Sequence, residues 1–247
     1  MKIETYKHNS IIGTTGNSIT LQEERYINIC LGKVYKRDLL DKDTWYSIDV
    51  KEYAEQSGLT LSNSYKELRK VASLLREAKV VIAKGGDNSI EVGWVHSILF
   101  NPVEFTLAVK WHEDIIPFIS GFTKGNYTTL HESAVKLRSI NSYRLYEVVK
   151  REAYKKEFTI EYETLKDMLG VSYKEFGLFS LRLLEPCHTE IVTKTDLRYS
   201  YRANKTGRKV TSITFFEVSL EKLGDSREER EKKARQMRLY GKVLVEE

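Results

Sequence analysis

The sequence predicts an α+β protein made of two tandem copies of one unit, a helix–turn–helix followed by a β-hairpin. Three observations predict it. Ile48-Asp49-Val50-Lys51-Glu52-Tyr53-Ala54-Glu55-Gln56-Ser57-Gly58-Leu59 lies over Ile160-Glu161-Tyr162-Glu163-Thr164-Leu165-Lys166-Asp167-Met168-Leu169-Gly170-Val171, with isoleucine, acidic, apolar, glycine and aliphatic positions in register. A few residues later Ser64-Tyr65-Lys66-Glu67-Leu68 answers Ser172-Tyr173-Lys174-Glu175-Phe176, across a slightly shorter connection. Each copy then ends in a β-rich run broken by a cluster of turn residues.

The elements follow in order. Thr20-Leu21-Gln22-Glu23 is a capping-box pattern opening a helix with Tyr26, Ile27, Cys30, Leu31 and Val34 inward. In the first copy Trp45–Ile48 is a short strand and Val50–Ser57 a short helix, with Gly58 at its left-handed end. Ser62 is expected to cap a longer helix to about Ala78, with Tyr65, Leu68, Ala72 and Leu75 on one face. Val80–Ala83, a turn at Lys84–Asn88 and a return through Val92–Phe100 form its hairpin. Phe105–Lys110 reads as one more strand and His112–Ile119 as a short helix. From Thr128 to Tyr154 the period is helical, with a break near Ser139-Ile140-Asn141. In the second copy Phe158–Ile160 is the strand, Tyr162–Leu169 the short helix and Ser172 the expected cap. A long helix to about Lys194 stacks Phe176, Phe179, Leu183, Cys187 and Ile191, and Pro186 should kink or restart it. Arg198–Ala203, a turn at Asn204–Gly207 and Arg208–Val218 make the second hairpin. Helix–turn–helix plus hairpin is the winged-helix layout. The domain boundaries read as 1–125, a helical linker at 126–156, 157–220, and a charged tail at 221–247 whose Ser226–Arg238 stretch suits a solvated helix.

Composition narrows the classes. Hydrophobic content of 41% and charged content of 30% fit a globular protein, and only 3 prolines and 14 glycines argue against long disordered linkers. The charge of +5, from 40 Lys and Arg against 35 Asp and Glu, permits a nucleic-acid partner without demanding one. Lys2, Glu4 and Lys7 interrupt the N-terminus, so no secretory signal is expected, and no apolar run is long enough to span a membrane. A cytoplasmic protein is expected, with Cys30 and Cys187 as buried reduced thiols.

A winged helix places its second helix in the major groove of DNA and its wing on neighbouring backbone. The second wing is the most basic stretch, with Lys194, Arg198, Arg202, Lys205, Arg208 and Lys209 against the single acid Asp196. On the preceding helix Lys174, Leu178, Ser180, Leu181 and Arg182 are the candidate contacts, the leucines suiting thymine methyls or burial against another helix. In the first copy Asn63, Ser64, Lys66, Arg69, Lys70 and the wing residue Lys84 are their counterparts. The plainer alternatives are a winged helix that docks proteins and an edge hairpin kept soluble by charge. No phosphate-binding glycine loop, zinc helix, His-x-His metal pair or nucleophile elbow occurs. Trp111-His112-Glu113-Asp114 is read as a capping feature, and no catalytic residue, cofactor or metal is expected.

Further motifs carry a resemblance. They are Asn17-Ser18-Ile19-Thr20-Leu21-Gln22-Glu23, the Trp94–Phe100 strand, Lys136-Leu137-Arg138-Ser139 leading into Tyr143-Arg144-Leu145-Tyr146-Glu147, and Leu183-Leu184-Glu185-Pro186. Glu190-Ile191, Lys194-Thr195-Asp196-Leu197, and Gly207-Arg208-Lys209-Val210 before Ile213 and Phe215 complete the set. In these the chain resembles the iteron-binding plasmid replication initiators, Rep proteins with two tandem winged helices. The resemblance implies a C-terminal domain that reads directly repeated origin sites. The N-terminal domain would add contacts to the same duplex and form a dimer interface. It also implies initiation by monomers, autorepression by dimers, and recruitment of host helicase and DnaA-like factors without nucleotide or metal. A transcriptional repressor on the same scaffold needs the same parts. One departure is local: the family carries several basic residues just after the aromatic at Phe179, whereas this chain has Ser180, Leu181 and Arg182.

Overall fold

The computed structural model describes residues 4–14, 19–34, 37–85, 88–123 and 125–221, with backbone alone at 83–85 and 88. The chain divides into two compact units, Met1–Lys136 and Leu137–Glu247. The expected tail helix at 226–238, the Asn17-Ser18 pair and the turn residues Gly86-Asp87 lie outside the described residues.

The first unit contains β1 (Glu4–His8), α1 (Leu21–Leu31), β2 (Tyr46–Asp49), α2 (Val50–Ser57) and α3 (Leu61–Leu74). It continues with β3 (Lys79–Gly85), β4 (Asn88–Gly93), β5 (Val95–Asn101), β6 (Thr106–Trp111), α4 (Ile116–Ile119) and β7 (Tyr127–His131). The Thr20 and Glu23 side chains form the expected capping box on α1, giving orphan amides at the helix start a partner. Tyr26, Ile27, Cys30 and Leu31 then enter one core with Tyr53, Leu68, Val71, Leu75, Trp94 and Trp111. Within that core Lys7 is paired to Glu24, and Arg25 Nη1 donates to Glu67 Oε2 at 2.6 Å.

The second unit contains α5 (Ile140–Glu152), β8 (Phe158–Glu161), α6 (Tyr162–Leu169), α7 (Phe176–Phe179), a π-helical turn (Ser180–Leu184) and α8 (Glu185–Lys194). The hairpin of β9 (Leu197–Thr206) and β10 (Lys209–Leu220) closes it. A buried Asp196 accepts from Tyr146 Oη at 2.9 Å and pairs with Lys150, tying α5 to the entry of the wing.

The repeat is a structural one. Both α2 and α6 are eight residues long, both follow a four-residue strand, and both end on a left-handed glycine, Gly58 at φ +69° and Gly170 at φ +67°. The sheets match as well: β2-β6-β5 in the first unit has the order of β8-β10-β9 in the second, with the first strand pairing antiparallel to the last. That correspondence corrects the first wing. The hairpin on the unit's own sheet is β5–β6, whereas β3–β4 is an additional two-stranded hairpin. The expected single return strand from Val92 to Phe100 breaks at buried Trp94, whose N–H bonds to the Ala78 carbonyl rather than to a ladder. The true β5–β6 turn is built by Asn101, whose Oδ1 accepts from the amides of Val103 (3.0 Å) and Glu104 (3.1 Å).

Three further expectations are corrected. Thr60, not Ser62, caps α3, accepting from the Asn63 amide at 3.3 Å. Ser64-Tyr65-Lys66-Glu67-Leu68 lies inside α3, but Ser172-Tyr173-Lys174-Glu175 precedes α7, so this second sequence match does not join equivalent positions. Ser172 is therefore no cap; Lys166 Nζ donates to the Tyr173 carbonyl at 3.2 Å and holds this longer turn. The helical linker at 126–156 is divided between the units. Tyr127–His131 is strand β7, paired with β1, and only Ile140–Glu152 is α-helix. The inward residues Thr128 and Leu130 alternate at strand spacing, and two adjacent threonines favour a strand over a helix.

Candidate nucleic-acid interface

In the second unit Phe179, Leu183, Leu184, Cys187 and Ile191 are buried. Phe179 meets Tyr162 and Tyr173 edge-on, at 5.2 and 5.7 Å between ring centroids. These contacts fix which side of the helix is left to solvent. Pro186 does not end the helix. A proline removes one amide donor and crowds the carbonyl four residues earlier. Here the Glu185 amide reaches back five residues to the Ser180 carbonyl, and the wider π turn passes the helix on to α8. The π turn contains Leu181 and Arg182, both exposed, and Leu178 and Lys174 are exposed just before it. Leu178 is 41% and Leu181 63% exposed, so neither leucine takes up the expected alternative of burial against another helix. Ser180 is half-buried, its Oγ 3.5 Å from Glu185 Oε1.

The wing is longer than expected and its turn is shorter. Thr206 pairs with Lys209, leaving Gly207 and Arg208 as the connection, with Gly207 at φ +63°. Lys205, Arg208 and Lys209 are exposed at this tip and make no ion pair among the described residues. Thr206 and Thr211 are exposed on the two strands beside the turn, their hydroxyls 3.4 Å apart. A search for charge passes over these two donors; the signal for them is closeness to the turn, where flanking residues are exposed.

Three expected contacts fall elsewhere. Arg198 is 1% exposed: its guanidinium donates to the Thr195 (2.7 Å) and Leu197 (2.9 Å) carbonyls and pairs with Glu221. Its side chain points inward at the base of the wing, so it is a structural residue and not a phosphate contact. Ser64 is fully buried on α3 and faces the core. Arg202 is half-buried, bonded to Glu157 at 2.8 Å and stacked 5.0 Å from the Phe216 ring centroid, which offsets its charge.

In the first unit the exposed side of α3 presents Asn63, Lys66, Arg69 and Lys70 without ion pairs among the described residues. Lys84 lies on the additional hairpin rather than on the sheet's own wing, and its side chain is outside the described residues. Elsewhere, His112 accepts from the Asp114 amide at 3.3 Å and Glu113 pairs with Lys42, in a turn that precedes α4; the expected capping role is not found, since α4 starts only at Ile116 and has no side-chain cap. Both thiols are buried, as expected; burial pushes Cys30 up to about 12 and Cys187 up to about 11, so both stay protonated at neutral pH. No helix among the described residues is long and apolar enough to cross a membrane.

Two winged-helix units, the first with exposed Lys66, Arg69 and Lys70 on α3 and the second with exposed Arg182 on its helix and a basic wing tip, together with the family matches define a DNA-binding protein of the replication-initiator class. The chain belongs to the initiator replication protein family. The family model described as "Initiator Replication protein, WH1" matches residues 4–150, and "Initiator Rep protein, WH2" matches residues 161–216. Among solved structures the fold matches the Pi initiator protein, crystallised in complex with iteron DNA, at a TM-score of 0.79 and 21% identity, over 90% of this chain and 98% of that one. Domains 2 and 3 of RctB align at a TM-score of 0.46 and 11% identity, over 87% of this chain and 90% of that one.

Proposed function

We propose that this protein is a plasmid replication initiator that binds directly repeated origin sites in duplex DNA, as the Pi initiator was crystallised with iterons. The observation that carries this reading is the set of exposed cations on the second unit that make no ion pair among the described residues: Lys174 in the turn before α7, Arg182 in the π turn, and Lys205, Arg208 and Lys209 at the wing tip. A helix in the major groove reads base edges, and cations on the wing release counterions from neighbouring phosphates. In this reading the C-terminal unit recognises the repeat. The α3 face of the N-terminal unit, with Asn63, Lys66, Arg69 and Lys70, adds backbone contacts, and that unit also forms the dimer. Monomers aid origin opening and recruit host helicase and a DnaA-like factor, and dimers repress the initiator's own promoter. The protein acts by binding rather than by covalent catalysis, and works in the cytoplasm on its plasmid.

The experiment is replication in trans. A selectable circle carrying only the repeats and AT-rich DNA beside the gene is expected to persist in cells that supply the protein, and to be lost in cells that do not. Repression of the promoter without maintenance of the circle would make the protein a repressor on the same scaffold.

A further inference from the structure

The exposed leucines Leu178 in α7 and Leu181 in the π turn do not serve the core, and charged residues flank them in sequence: exposed Lys174, Glu175 and Arg182, and half-buried Glu185. Leu178 and Leu181 are one helical turn apart, and no described element covers either. Lys174 lies before them in sequence and Arg182 beside them, both exposed and both without an ion pair among the described residues. A partner that covers this face must satisfy apolar surface and positive charge together. An apolar protein surface would bury two cations without compensation, at a cost that removes the gain. The floor of the DNA major groove meets both demands, because thymine presents a C5-methyl group next to the acceptor atoms of neighbouring bases and the phosphates at the groove edge.

We propose that Leu178 and Leu181 are specificity-determining residues that read thymine methyl groups in the repeat, with Arg182 and Lys174 supplying the adjacent acceptor or phosphate contacts. This rests on the reading of the second unit as the repeat-binding one. It assigns the chain a preference for thymine where a basic residue at the same helix position selects guanine. The π turn supports the assignment, since it places Leu181 and Arg182 on the widened, exposed part of the helix while Leu183 and Leu184 stay buried.

The test compares the full chain binding to a duplex copied from the repeats beside the gene with the same duplex carrying uracil in place of thymine. Pairing is unchanged and only the C5-methyl groups are lost. The wild type should bind the uracil duplex more weakly, by about fourfold for each methyl contacted, the factor implied by burying one methyl group. Leu181→Ala and Leu178→Ala should each bind thymine and uracil duplexes with a reduced ratio, and the double variant should lose the difference. Both positions are exposed, and circular dichroism checks that the variants keep the fold. Equal binding of the two duplexes by a wild type that still prefers repeat over shuffled DNA would overturn the inference and leave repeat reading intact. Leucine variants that retain the full thymine preference would overturn it too. A wild type indifferent to repeat and shuffled DNA would remove the underlying reading, and this inference with it.

Discussion

At the scale of single residues, the difference between an arginine that binds DNA and one that holds the fold lies in burial, which charge alone does not disclose. Arg198 and Arg208 are both basic residues of one hairpin, yet the first is enclosed and bonded to two carbonyls while the second is exposed at the turn. We expect Arg208→Ala and Lys209→Ala each to weaken binding and to lower the slope of log K against log salt by about 1, one phosphate contact each. Arg198→Ala should instead destabilise the second unit by about 1–3 kcal/mol, through carbonyls left without donors, and leave the salt slope of the folded protein unchanged. Urea unfolding and binding titrations on the three variants separate the two roles. Strand alternation was the sequence signal available: Arg198 and Tyr199 are both buried at the base of the wing, where the sheet is covered on both faces, and alternation fails there. The wing-tip residues were legible because a turn exposes whatever it carries.

At the scale of elements, the parts whose form is set locally were read from sequence and those set by distant partners were not. The α2 and α6 helices fall on their expected residues because each ends on a left-handed glycine; α2 is also capped by Asp49, whereas Glu161 makes no capping bond to α6. The glycines allow a graded test. A Cβ on Gly58 meets nothing within 4 Å, whereas one on Gly170 lies 2.5 Å from Arg144 Nη1, which donates to the Leu169 carbonyl. Gly58→Ala should cost about 1 kcal/mol from its backbone conformation alone, and Gly170→Ala more than that, as chemical unfolding of each variant would measure. Strand β7 departs from the helix expected there, because Leu130 and Ala134 fall at helical spacing while the strand is set by pairing with β1, more than a hundred residues away. The first wing was misplaced for a related reason. Two hairpins follow α3, and the turn residues at Lys84–Asn88 are the stronger sequence signal, although the sheet-bearing hairpin turns at Asn101-Pro102.

At the scale of the whole molecule, duplication of one unit was visible in the glycine-ended helices, and the family match spans both copies. The boundary was less legible, because the 126–156 stretch contributes to both units and so carries no composition shift. The copies have also diverged in chemistry. The second has a basic wing tip without ion pairs among the described residues, whereas the β5–β6 turn of the first carries Val103, Glu104 and Phe105. Sequence specificity is therefore expected to reside mainly in the second unit. The most direct measurement is equilibrium binding of the full chain to duplexes carrying the tandem repeats beside the gene, and to shuffled duplexes of equal length, across a salt series. The account predicts tight binding to the repeats that weakens steeply with salt, and a preference over shuffled DNA that survives when the salt-dependent part is reduced. Equal, weak affinity for both duplexes at every salt concentration would contradict it.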